Sequence, residues 1–230
     1  AWFWMLAEPI AMIVILAAIR GIVMGEKHIL GAEFIPWLIT GLLGFYLFRE
    51  NMMRSIGAIE GNSGLFAYRQ VKPVDAVLVR CFLEGMLKSF IFLLFILAGT
   101  LLMLDLSPDD PFKAFFAWLS LWALGIGVGL SLSALSKLVP ELGRIARIIS
   151  FPLLLASGVI IPLQVVPFNL QEYLLLNPVV HGIETLRLAF FHGYKSLYGI
   201  DMTYLWYWAL SLVLLGLMLH IRFEQRLKAQ

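Results

Sequence analysis

Cysteine occurs once in the chain, at Cys81, and charged side chains make up only 14% of its 230 residues. A lone cysteine excludes an internal disulfide framework and fits no metal-ligand spacing, so no metal site is expected. An ordinary soluble domain carries about 25% charged residues; a chain this long with so few could not cover a water-facing surface. There is no Gly-x-x-x-x-Gly-Lys-Ser/Thr phosphate loop, nor any Gly-Lys dipeptide. If the protein's work consumes ATP, another subunit is expected to hydrolyse it. Internal repeats and low-complexity tracts are lacking, and Trp2-Phe3-Trp4 has none of the basic-then-apolar layout of a secretory signal. The chain starts at Ala1, so a longer polypeptide is expected to precede it.

What the chain has is hydrophobicity: 61% apolar residues and a mean hydropathy of +0.89. The apolar runs are too many for a single anchor and too long for barrel strands, which alternate over about ten residues. The expectation is an all-α integral membrane protein, one domain over 1–230, with six transmembrane helices and two short re-entrant helices before the last span. The spans are read at about Trp2–Met24, Phe34–Phe48, Pro73–Leu104, Phe112–Ser136, Ile145–Ile161 and Asp201–His220. A polar loop is read at Gly25–Glu33, a polar block at Arg49–Lys72, and a basic link from Lys137 to Arg147. Residues 162–199 hold two apolar stretches too short to cross.

Basic residues set the orientation. With the Arg49–Lys72 block, the 137–147 link and the tail in the cytoplasm, that side holds eleven of the 17 Lys and Arg. They are Arg49, Arg54, Arg69, Lys72, Arg80, Lys137, Arg144, Arg147, Arg222, Arg226 and Lys228. The other side keeps Lys27, Lys113, Arg187 and Lys195. Both termini are then cytoplasmic and 162–199 lies at the outer face.

The segment Asn177-Pro178-Val179-Val180-His181-Gly182-Ile183-Glu184-Thr185-Leu186-Arg187 is polar and proline-broken between apolar runs. Lipid tolerates neither bare backbone nor unpaired charge, so it must be shielded by protein or line a polar passage. Asn177, His181, Glu184 and Arg187 are pathway or gate candidates, although Glu184 and Arg187 are one turn apart and can pair locally. Arg20 in the first span is either a fifth candidate or a snorkelling structural residue; Glu8 poses the same choice. Arg80, Glu84 and Lys88 recur every fourth residue and can satisfy one another.

In the cytoplasmic block, Asn62 or Ser63 is placed to cap a short helix over Leu65, Phe66, Tyr68, Arg69 and Gln70 that ends at Pro73. Its exposed apolar side chains would fill a partner's groove; the alternative is a loop folded back on its own membrane domain. Gly61-Asn62-Ser63-Gly64 also matches the GxSG string of intramembrane serine proteases, but Arg54, Glu60, Arg69 and Lys72 place Ser63 in water. Gly125, Gly129 and Ser133 let helices approach closely, within one subunit or across a dimer.

Taken together, Trp4 to Pro9, Glu60 to Asn62 through Tyr68 to Pro73, Asn177 to Arg187 and Phe191 to Tyr194 resemble the membrane subunit of capsular polysaccharide ABC exporters, within the type-two ABC exporter superfamily. The likeness runs through nearly the whole chain. It implies a permease without enzymatic activity, a homodimer bound to two ATPase subunits that hold ATP and Mg, and a coupling helix, here on Asn62–Val71. The implied substrate is lipid-linked polysaccharide crossing the bacterial inner membrane to periplasmic and outer-membrane partners; no nucleic acid is implied. Relatives carry an interface helix ahead of the first span, expected to be missing from this chain. Exporters of O-antigen or teichoic acid share the architecture. A drug or lipid exporter lacks the Asn-Pro…Arg string, and an intramembrane enzyme needs a nucleophile at membrane depth.

Overall fold

A computed structural model describes residues 2–23, 28–68 and 70–228, with the side chains of 2–6 and 20–23 left out of account. Helix α1 (Trp2–Val23) leads to a two-stranded antiparallel hairpin, β1 (His28–Ile29) and β2 (Ala32–Glu33). The expected polar loop is thus partly a hairpin. Its turn, Leu30-Gly31, has φ of 51° and 95°, the primed geometry whose twist matches that of the strands. Helices α2 (Phe34–Ile56), α3 (Ala58–Gly61), α4 (Pro73–Leu101), α5 (Pro111–Leu138) and α6 (Pro140–Ala156) follow. Then come α7 (Phe168–Leu174), α8 (Pro178–Phe190), α9 (Met202–Arg222) and α10 (Glu224–Lys228).

Six crossings are not what this architecture supports. Among the described residues, three helices are long and apolar enough to cross a membrane: α4, α5 and α9. Helix α2 has the length, 23 residues, but carries Arg49, Glu50 and Arg54 in its last turns. Helix α6 has 17 residues, with Glu141, Arg144 and Arg147 in its first half, and the described apolar stretch of α1 is confined to Ala7–Ile19. Apolar runs alone overcounted because several of these residues are covered by protein: in α2 nearly every residue from Phe34 to Phe48 is buried.

Two boundaries also moved. Helix α2 continues past Phe48 because its polar turns are satisfied along the helix: Arg54 Nε lies 3.2 Å from Glu50 Oε2, and the Asn51 and Ser55 side chains donate to the carbonyls of Leu47 and Asn51. Helix α6 begins at Pro140, so the expected basic link is mostly helix and Val139 alone separates it from α5.

Helix α5 is the centre of the fold and packs most extensively on α9 and α2. Its small residues allow this: a Cβ at Gly127 would crowd the Ala209 and Val213 backbone of α9, and one at Gly125 or Gly129 would meet the α2 backbone at Phe48 or Asn51. The polar ends sort cleanly. At one end α10 places Leu227 in a cluster with Ala58, Ile59, Val77 and Ala134, and Lys137 lies 3.7 Å from Glu60. At the other, the Lys195 N–H donates to the Leu30 carbonyl and the Asp110 N–H to that of Ala189.

Candidate functional site: a buried ion pair and a short exposed turn

Helix α8 starts where proline loses nothing, at Pro178, with the Asn177 side chain accepting from the Val179 N–H at 3.1 Å. The Asn177 amide also donates to Ser157 Oγ at 3.0 Å. One turn later, His181 bridges two elements. Its Nδ1 accepts from the Asp201 N–H at 2.9 Å and its Nε2 lies 2.8 Å from the Leu175 carbonyl. A backbone N–H on Nδ1 and a carbonyl at Nε2 are satisfied together by the neutral tautomer that carries its proton on Nε2.

Glu184 and Arg187 meet at 2.9 Å with both side chains at 0% exposure. Arg187 Nη1 also donates to the Gly158 carbonyl at 2.7 Å and Nη2 to that of Val159 at 3.2 Å. Its guanidinium lies 3.6 Å from the Trp37 ring centroid, a desolvated cation–π contact. Glu184 accepts from the Tyr194 hydroxyl at 3.2 Å and the Gln164 amide at 3.3 Å, and the Trp37 indole donates to the Tyr194 oxygen at 3.1 Å. Burial pushes the Tyr194 hydroxyl above its ordinary pKa, so it stays a donor. Trp37, Tyr194, Glu184 and Arg187 close a circuit that ties α2, the 157–164 connection, α8 and the 191–199 loop together.

That circuit needs a missing side chain. A Cβ at Gly41 would overlap the Arg187 guanidinium, so glycine one turn beyond Trp37 is what admits the cation. Trp37, Gly41, Gln164 and Tyr194 were not singled out as site residues from the sequence. The one available signal was Trp37 and Gly41 on the same helical face, an aromatic beside a gap. The arrangement holds charge in place: no nucleophile is in it, and every formal charge has a partner.

The expected coupling helix is shorter and differently wound. Ser63–Ala67 forms a 3-10 turn, Tyr68 is extended, and neither Asn62 nor Ser63 caps it. The Asn62 amide instead donates back to the Ala58 carbonyl at 2.8 Å. Gly61 and Gly64 disfavour a longer α-helix here. Leu65, Tyr68 and Gln70 are exposed, and Phe66 packs against the Ala58–Val77 cluster. Arg69 and the side chain of Arg20 lie outside the described residues. Among the described residues, no group of three or more His, Cys, Asp or Glu could hold a metal ion. Of the set Arg80, Glu84 and Lys88, the first two pair at 3.0 Å, while Lys88 lies over the Tyr46 ring.

The family described as ABC-2 type transporter matches residues 1–191. The chain belongs to that family. As an ABC-2 type transporter protein it is a multi-pass membrane permease subunit and not an enzyme. It is 34% identical over 219 residues to the polysialic acid transport protein KpsM of Escherichia coli, covering 95% of this chain and 84% of that relative. It is 28% identical over 231 residues to the capsule polysaccharide export inner-membrane protein BexB of Haemophilus influenzae, covering 100% of this chain and 86% of the relative. The capsule polysaccharide export inner-membrane protein CtrC of Neisseria meningitidis serogroup A is 26% identical over 231 residues, with the same coverage.

Proposed function

We propose that this permease subunit moves lipid-anchored capsular polysaccharide across the bacterial inner membrane, driven by a separate ATPase that holds ATP and Mg. The observation that carries the reading is the match along 95% of the chain to a polysialic acid transport protein. A homodimer bound to two ATPase subunits is the assembly. The polar end that gathers α3, α10 and the Ser63–Ala67 turn faces the cytoplasm, with both termini; the end that holds 191–199 faces the periplasm and its export partners.

The Ser63–Ala67 turn receives the ATPase. Leu65 and Tyr68 are free to enter a groove, and Phe66 passes a push to the start of α4 through Val77. From there a ladder of charge crosses the helices: Glu84 of α4 lies 3.8 Å from Arg54 of α2, Glu50 is within 3.4 Å of both Arg54 and Arg49, and Arg49 is 3.5 Å from Glu8 of α1. Asn177, His181, Glu184 and Arg187 hold the outer segment as a rigid gate block; that is the gate role assigned to them here, with Arg20 as a further pathway candidate.

Deleting this subunit in its host tests the reading. Polymer of normal length trapped in the cytoplasm is the expected result, and loss of polymer synthesis would overturn it.

A further inference from the structure

A cavity of about 580 Å3 opens between α1, α2 and α6, away from the Arg187 circuit. Three helical stripes face it. On α1 the stripe is Glu8, Ala11, Met12 and Ile15; on α2 it is Phe45, Tyr46 and Arg49; on α6 it is Arg147, Ser150, Phe151 and Leu154. Each repeats at three- and four-residue spacing, so each is one helix face. The polar members converge. Arg49 Nε donates to Ser150 Oγ at 2.9 Å and its Nη1 lies 3.5 Å from Glu8 Oε1, joining all three helices. Apart from Arg147 and the phenol of Tyr46, the rest of the lining is apolar.

Charge around that polar end does not cancel. Glu84 is shared by Arg80 and Arg54, and Glu50 by Arg54 and Arg49. Among the described residues Arg147 and Lys88 have no carboxylate partner; Lys88 and Arg49 sit on the Tyr46 ring at 5.6 and 5.8 Å. The Glu8 carboxylate is more than half exposed and its contact with Arg49 is long, a pair of the kind that contributes little and exchanges readily. On either side of the cleft, Val14 and Ile19 of α1 and Ile148 and Ile149 of α6 are exposed. The cleft is therefore flanked by surfaces suited to acyl chains, with a surplus of cation at its polar end.

We propose that this cleft binds an anionic phospholipid of the surrounding leaflet, with its phosphate on Arg147 and Arg49 and an acyl chain along Ala11, Ile15, Phe45, Phe151 and Leu154. Basic pockets between membrane helices hold phosphate headgroups in this way, and Arg recognises phosphate through two parallel N–H donors. Glu8 occupies Arg49 while the lipid is absent and yields to it. The inference does not depend on what the protein transports.

Titration of phosphatidylglycerol and phosphatidylcholine onto the purified transporter, in complex with its ATPase, tests this by native mass spectrometry. Phosphatidylglycerol is expected to bind at least about tenfold more tightly. Arg147→Gln, at an exposed side chain, should weaken phosphatidylglycerol binding much more than phosphatidylcholine binding and so remove most of that preference. Glu8→Gln should strengthen it, and Ala11→Trp, which fills the apolar arm, should abolish it with every charge in place. Equal binding of the two lipids would overturn the proposal, as would an unchanged preference in Arg147→Gln. Displacement by inorganic phosphate irrespective of acyl-chain length, or binding confined to glycan-bearing lipid, would overturn it too.

Discussion

Removing one member of the Glu184–Arg187 pair leaves the other charged and buried, which costs about 3–5 kcal/mol. Arg187→Ala and Glu184→Ala are each expected to lower the thermal midpoint of the purified transporter by the equivalent amount. The double replacement should cost clearly less than the sum, because residues in one network do not act independently. Additive losses would show that the two side chains are not coupled. Gly41→Ala should destabilise through the same network, since its methyl displaces the guanidinium from Trp37. The spacing of Glu184 and Arg187 made their pairing legible in the sequence. Their partners were not, because Trp37 and Tyr194 are 157 residues apart, and no local pattern relates a tryptophan near the start of α2 to a loop after α8.

Two elements depend on short stretches that can be tested separately. Helix α9 begins with the Asp201 carboxylate accepting from the Thr203 N–H at 2.8 Å. That bond holds the Asp201 pKa below its ordinary value. A carboxylate whose pKa is lower folded than unfolded stabilises the fold above its unfolded pKa and loses that contribution as pH falls through the folded one. The thermal midpoint should therefore drop in the acid range below the usual carboxylate titration, and Asp201→Asn, which keeps a capping oxygen, should flatten that part of the profile. The Ser63–Ala67 turn is the proposed seat of the ATPase: Leu65→Asp with Tyr68→Ala should cut recovery of the ATPase with this subunit several-fold and leave the thermal midpoint of the isolated subunit unchanged. The proline start at Pro73 and the existence of the long apolar helices were readable locally, whereas Pro178 read as a break and not as the first turn of α8. The ends of α2 and α6 were not readable either, because Arg49, Glu50 and Arg54 look like loop residues until Glu84 of another helix is seen beside them.

For the molecule as a whole, orientation is the quantity to measure. Cys81 is buried and lies 3.1 Å from Ser55 Oγ, so the unmodified chain should resist membrane-impermeant maleimide. Cysteine introduced at Tyr198, 97% exposed, should label from the periplasm, and one at Tyr68, 68% exposed, only after the inner membrane is opened. Labelling of both from the same side would refute the arrangement proposed above. Total hydrophobicity announced a membrane protein but miscounted its crossings, because burial against neighbours and burial in lipid leave the same mark on composition.

Glycines 125, 127 and 129 bring α2 and α9 against opposite sides of α5, close enough that an added methyl group at each would meet main chain as well as side chain. Backbones in such contact cannot slide by changing rotamers, so α2, α5 and α9 behave as a stator. On the proposed function, displacement produced by the ATPase is taken up at the periphery, where Val139 is the one residue of chain between α5 and α6 and the ion pair between α1 and α2 is open to solvent. Stiffening that single-residue hinge, and nothing in the stator, is where an otherwise well-folded transporter would be made to stall.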